Sequence, residues 1–300
     1  MVLAERVSPA PVKSVAEGAP PRRPGSSQGV AYLFLGPWLL GAIGLTVAPM
    51  VVSLYLSFTD YDLFNSPRWV GFDNYAKLFG DDPRYLDSVV VTLKYVVWSV
   101  PLKLVLALAV ALLLNSLRGK GQAFFRSAFY APSLLGASVG LALAWRAIFD
   151  TWVDTPDYAL ITIVLLSAWQ FGAPMVIFLA GLQQIPRDLF DAAAVDGAGW
   201  WRRLWSITLP MLSPVLFFNL VLETIHAFQA FTQAFVVSGG RGGPADSTLF
   251  YTLYLYERGF TEFRMGYASA MAWVLLVAIA LITAVLFRTS RYWVFYGDER

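Results

Sequence analysis

Six apolar stretches, at residues 31–58, 89–114, 128–149, 158–182, 207–237 and 266–288, dominate this 300-residue chain. Each meets the roughly 20 residues that a helix needs to cross about 30 Å of hydrocarbon. Lipid offers no partner for backbone N–H and C=O groups, so continuous helices are the expected form. The expected fold class is all-α, a polytopic membrane protein with six transmembrane helices. The fifth stretch is long enough to tilt or to begin outside the core, and Pro210 and Pro214 are expected to mark its entry, where a missing N–H is tolerated. Composition agrees, with 14% charged residues against about 25% in a soluble domain. There is no cysteine and one histidine, which excludes disulfides, thiolate chemistry and multi-histidine zinc patterns. A net charge of +2 gives no support to a nucleic-acid partner.

Residues 1–29 hold Pro9, Pro11, Pro20, Pro21 and Pro24 without apolar periodicity, and read as a disordered tail ahead of a membrane domain at 30–300. The tail is not a secretory signal, because the apolar stretch starts late and runs to full spanning length. With the tail placed inside, the inner segments carry thirteen basic residues against seven acids, and the outer segments six against twelve. The basic excess belongs on the cytoplasmic side, so both termini are expected there, in a multi-pass protein of the cell membrane.

The segment between the fourth and fifth stretches is richer than a connector needs. Pro186 suits a first helical turn, Asp188 and Asp191 favour a helix N-terminus, and Gly197 and Gly199 are expected to stop the helix. A short helix, a glycine turn and an amphipathic piece with Trp200, Trp201, Arg202 and Arg203 result. An interfacial helix lying on anionic lipid would use the same residues.

The spacing is more specific than that. Asp191-Ala192-Ala193, Gly197, Ile207 and Leu209-Pro210 resemble, at every spacing, the cytoplasmic loop signature of binding-protein-dependent ABC importer permeases, with aspartate in place of the usual glutamate. Trp69 to Tyr75, Phe129-Tyr130-Ala131-Pro132, Leu179 to Gln183, Gly242-Gly243-Pro244 and Gly266 to Ala270 are similar to segments of the carbohydrate-uptake branch, the maltose, multiple-sugar and glycerol-phosphate type, and within it to the first of two paired permeases. Two departures are the short third connection and the expanded Gly239 to Gly243 turn.

The resemblance implies the type I importer permease fold, a coupling loop at about 186–206 that docks on an ATPase, and an ATP-driven sugar or polyol importer. It implies as partners a second homologous permease, two copies of an ABC ATPase and an extracytoplasmic solute-binding protein. ATP and Mg would be bound by the partner ATPase. No cofactor is expected on this chain, whose Gly119-Lys120 lacks the upstream glycine of a phosphate-binding loop and is followed by Gly121.

Polar groups within membrane helices mark candidate solute contacts. Asn219, Glu223, His226, Ala230 and Gln233 fall within an arc of about 80° on one helix, with small Ala227 beside them. Trp169, Phe228 or Trp273 could offer a flat face to a sugar ring. By resemblance to the maltose permease, Gln170 and Ala173 join Glu223, Ala227 and Ala230 at lining positions. Helix–helix adhesion toward a partner permease would use the same stripe. Lys103 lies too deep to snorkel easily, and Glu223 is a candidate partner, whereas Lys94 points to the opposite face and snorkels outward.

Two other classes compete with this reading. Gly136-Ala137-Ser138-Val139-Gly140 matches a serine-nucleophile pattern and His226 is available, but that pattern needs a strained strand-to-helix turn. An ion-coupled secondary transporter would be expected to show broken helices and inverted halves, which the sequence does not suggest.

Overall fold

The computed structural model describes residues 28–117, 120–135 and 139–295. Most of the expected tail, residues 1–27, lies outside them. The chain divides after Val51 into two compact units. The first holds α1 (Gln28–Ala42), a π-helical turn at Ile43–Val47 and the start of α2 (Ala48–Ser57).

In the second unit, β1 (Thr59–Asp60) pairs antiparallel with β2 (Arg68–Trp69), and α3 (Asp73–Gly80) follows. The Asn74 side chain, buried, donates to the carbonyls of Ser57 and Thr59 at 2.9 Å each. Its organising helix is α4 (Pro83–Ser116). Asp82 caps it by accepting from the Tyr85 N–H at 3.2 Å, and Pro83 fills the first turn. Ser88, Thr92, Ser99, Ala107 and Ala111 recur along one buried stripe of α4, and such small residues let neighbouring helices approach closely.

Around α4 the chain forms α5 (Lys120–Leu135), α6 (Val139–Ile148), α7 (Asp150–Val153), α8 (Pro156–Trp169) and α9 (Gly172–Gln184). Next come α10 (Arg187–Val195), α11 (Trp200–Arg203), a π-helical turn at Leu204–Thr208, α12 (Leu209–Phe228) and α13 (Thr232–Val237). The chain closes with α14 (Tyr251–Tyr256), a π-helical turn at Glu257–Thr261 and α15 (Met265–Ser290). The stripe of α4 packs on α8, α9 and α12. Among the described residues four helices are long and apolar enough to cross a membrane, and the number rises to six if each of the bent pairs α5–α6 and α8–α9 is one span.

Those bends correct the expectation of continuous helices. In the fourth stretch the axis turns by 41° between α8 and α9. Pro174 has no N–H to return to the Gln170 carbonyl, and Gly172 sits so close to α5 that a Cβ there would lie 2.4 Å from the Phe129 carbonyl oxygen. The fifth stretch is displaced at both ends. It starts at Trp200 rather than at Pro210, because a π turn, closed by the Leu209 N–H on the Leu204 carbonyl, absorbs the donor that Pro210 lacks. It ends at Phe228 rather than 237, and the freed Ala230 carbonyl accepts from the Thr252 hydroxyl.

A polar network ties the N-terminus of α4 to α14 and α15. Asp82 accepts from the hydroxyls of Tyr254 and Tyr267 at 2.6 Å each and lies 3.3 Å from the Arg258 guanidinium. Arg84 pairs with Asp246 at 2.9 Å and Glu257 at 3.0 Å. Burial alone would raise the Asp82 pKa, but the two tyrosines, the Tyr85 N–H and Arg258 together hold it below the ordinary 3.8.

Candidate functional site

A polar cavity of about 460 Å³ lies among α4, α8, α9, α12 and α13. Its charged centre is an ion pair between Lys103 Nζ and Glu223 Oε2 at 2.7 Å, with both side chains mostly buried. Lys103 stands about 30 Å along a helix about 51 Å long, too far from either end to reach water by extension. The pair therefore neutralises a cation that α4 alone would strand. Gln170 caps the end of α8 at the bend, and its Nε2, buried at the cavity wall, has no hydrogen-bond partner among the described residues.

His226, Ala227, Ala230, Gln233 and Ala173 also line the cavity. They do not form one helical stripe, however. The break after Phe228 puts Ala230 and Gln233 beyond α12, and the turn of the chain, rather than the 100° step, returns them to the cavity. Asn219 does not line it; it is buried within the bundle with its Nδ2 unpartnered among the described residues. Nor does Trp169, whose ring stacks on Trp145 with centroids 6.3 Å apart. Phe228 and Trp273 are absent from the wall as well. The aromatic rings that do face it are Tyr95 and Phe231. Tyr95, Ser99 and Lys103 recur every four residues on one face of α4, a signal that was present in the sequence. Phe231 follows the break, where no periodicity applies.

At the far end of the bundle, α10 exposes its surface and buries no residue fully. Its C-terminus is closed by two bonds, Ala198 N–H to the Ala193 carbonyl at 2.9 Å and Gly197 N–H to the Ala194 carbonyl at 3.1 Å. This closure requires a left-handed residue at 197, and Gly197 has φ +70°. Nothing lies within 4 Å of a Cβ built there, so the glycine serves the turn and not close packing. Gly199 is extended, with φ −68° and ψ 172°, and begins α11 instead of stopping α10. The Arg203 guanidinium donates to the Ala198 carbonyl at 2.7 Å, which holds the turn against α11. From Trp200 the helix runs without interruption to Phe228. Asp191, Ala192 and Ala193 thus sit on α10, Ile207 in the π turn packs on the core, and Leu209 and Pro210 open α12.

The chain is thus a mainly helical bundle with up to six apolar spans, a charged pair in a polar cavity and an exposed helical loop at one end. Residues 79–293 match the family described as binding-protein-dependent transport system inner membrane component, and the chain belongs to that family. It is 50% identical over 286 residues to the probable ABC transporter permease protein YesP of Bacillus subtilis strain 168, covering 89% of this chain and 92% of that protein. It is 33% identical to the sulfoquinovosyl glycerol transport system permease protein SmoG of Agrobacterium fabrum, covering 87% and 90%. Its fold resembles a chain of a bacterial ABC transporter that imports the acidic polysaccharide alginate, with a TM-score of 0.74, 20% identity and coverage of 88% and 96%.

The chain is accordingly an ABC importer permease of the membrane. Ser138, the nucleophile of the protease alternative, lies outside the described residues. Broken helices do occur, at α8–α9 and after α12, so their expected absence no longer argues against an ion-coupled carrier. The family assignment does.

Proposed function

We propose that this chain forms one part of the membrane domain of an ATP-driven importer for a sugar or related polyol. It works with a second homologous permease, two ATPase subunits that bind ATP and Mg, and an extracytoplasmic binding protein, and it has both termini in the cytoplasm. The observation that carries this reading is the continuous helix from Trp200 to Phe228, which starts in the exposed loop and holds Glu223 of the cavity about 35 Å away. A push on α10 and α11 by a closing ATPase dimer would reach the cavity along this one helix, through the π turn at its base. Solute specificity in the cavity rests on uncharged donors and acceptors, Gln170 foremost, around a charge-neutral pair. The sugar class is supported by what the name of SmoG says it carries.

The test is uptake by vesicles that contain the assembled transporter. Gly197→Val should abolish ATP-dependent uptake while leaving the protein in the membrane, because valine at φ +70° distorts the turn between α10 and α11. Normal uptake in that variant would refute the coupling role. Glu223→Ala should alter uptake or solute-stimulated ATP hydrolysis, and an unchanged profile would reduce the pair to structural adhesion.

A further inference from the structure

A groove of about 750 Å³ runs between α4 and α8, separate from the polar cavity. Its long walls are apolar: Trp98 and Leu102 of α4 face Ile161 and Leu165 of α8, and all four are substantially exposed. Its polar groups gather at one end. Lys94 of α4 and Asp157 in the first turn of α8 both line it there, and among the described residues neither has an ion-pair partner. Ser247 lines the same groove, and its buried hydroxyl has no hydrogen-bond partner among the described residues.

α4 is long enough to span the membrane and α8 is the first half of the bent pair α8–α9, and both run from the polar end of the groove into the apolar part. Lys94 stands about 16 Å along α4, within reach of the headgroup level for a side chain that can snorkel. A second apolar helix laid into the groove would have to bury Lys94 and Asp157 without partners, at a cost of several kcal/mol. A lipid meets both demands, because its chain covers Leu102, Ile161 and Leu165 while its headgroup stays at the interface.

We propose that this groove is a specific phospholipid site for a zwitterionic lipid with a primary amine, phosphatidylethanolamine. The phosphate sits on Lys94, the ammonium on Asp157, and one acyl chain lies along the Trp98 and Ile161 wall. Phosphatidylglycerol would satisfy Lys94 but offer Asp157 a neutral hydroxyl in place of an ammonium. Phosphatidylcholine would present a quaternary amine that cannot donate to the Asp157 carboxylate.

The assembled transporter, delipidated in detergent and exposed in turn to palmitoyl-oleoyl phosphatidylethanolamine, phosphatidylcholine and phosphatidylglycerol, should retain the first preferentially in native mass spectra. Lys94→Gln should weaken that retention about fivefold, the effect of one basic residue at a headgroup. Asp157→Asn should erase the preference over phosphatidylcholine while leaving retention of phosphatidylglycerol equal or better. Equal retention of the three lipids, or retention untouched by both substitutions, would overturn the proposal. A photoreactive residue at position 161 gives an independent check: a lipid adduct supports the site, and a protein adduct places a neighbouring membrane helix in the groove and overturns it. Both substituted residues are exposed, so the variants are expected to assemble normally.

Discussion

A lysine too deep in a membrane helix to snorkel is tolerable only with a partner, and Glu223 supplies one to Lys103 across α4 and α12 at 2.7 Å. Removing one member leaves a charge in a low-dielectric site, whereas removing both leaves a nearly apolar contact. Lys103→Met or Glu223→Leu alone is therefore expected to destabilise the detergent-solubilised protein by about 3 kcal/mol. The double variant should recover more than half of that loss in thermal melts, because the two effects are not additive. Uptake separates stability from transport, since a stable double variant that still imports normally would exclude the pair from the solute path. Both residues stood out in the sequence as intramembrane charges. Their pairing depends on the rotation and depth at which α4 meets α12, which no local pattern encodes.

Among elements, the interruptions matter more than the helices. The bend between α8 and α9 carries Gln170 to the cavity wall and lets α5 rest against Gly172. Gly172→Ala would place a Cβ 2.4 Å from the Phe129 carbonyl oxygen and 2.7 Å from the Tyr130 Cα, both backbone atoms that cannot rotate away. A loss of about 1–3 kcal/mol is expected, read as a lowered melting temperature of the purified protein. By contrast, alanine at the unhindered helical Gly140 should be neutral or stabilising. The same logic joins two segments far apart in sequence. Gly266, at the start of α15, donates its N–H to the Tyr61 carbonyl at 3.1 Å, and a Cβ there would lie 2.0 Å from the Thr59 carbonyl oxygen. The segments Trp69 to Tyr75 and Gly266 to Ala270 thus meet around β1. Gly172 and Pro174 were visible as residues, but a helix of apolar composition reads the same whether straight or bent at them.

For the whole molecule, the charge asymmetry predicts orientation, and a chain without cysteine is suited to test it. A single cysteine at Asn65 should react with a membrane-impermeant maleimide in intact cells, and one at Ala194, on the exposed α10, only after the membrane is opened. The reverse pattern would invert the topology. Acid should loosen the end of the bundle opposite α10. Asp82 has a folded pKa below its ordinary 3.8, so its contribution to stability is present above that value and is lost as pH falls through the depressed one. Thermal stability should drop across that acid range in the native protein, and Asp82→Asn should flatten this part of the profile. The apolar spans and the family of the chain were legible from residues alone, because hydrophobic length and motif spacing are properties of contiguous chain. Glu223 could be named as a candidate partner of Lys103, and the pair forms, but the bends, the Tyr95 and Phe231 part of the cavity wall and the meeting of Gly266 with β1 were not legible. They depend on which helix faces lie together, and helices with near-uniform apolar surfaces are told apart only by the fit of particular side chains once packed.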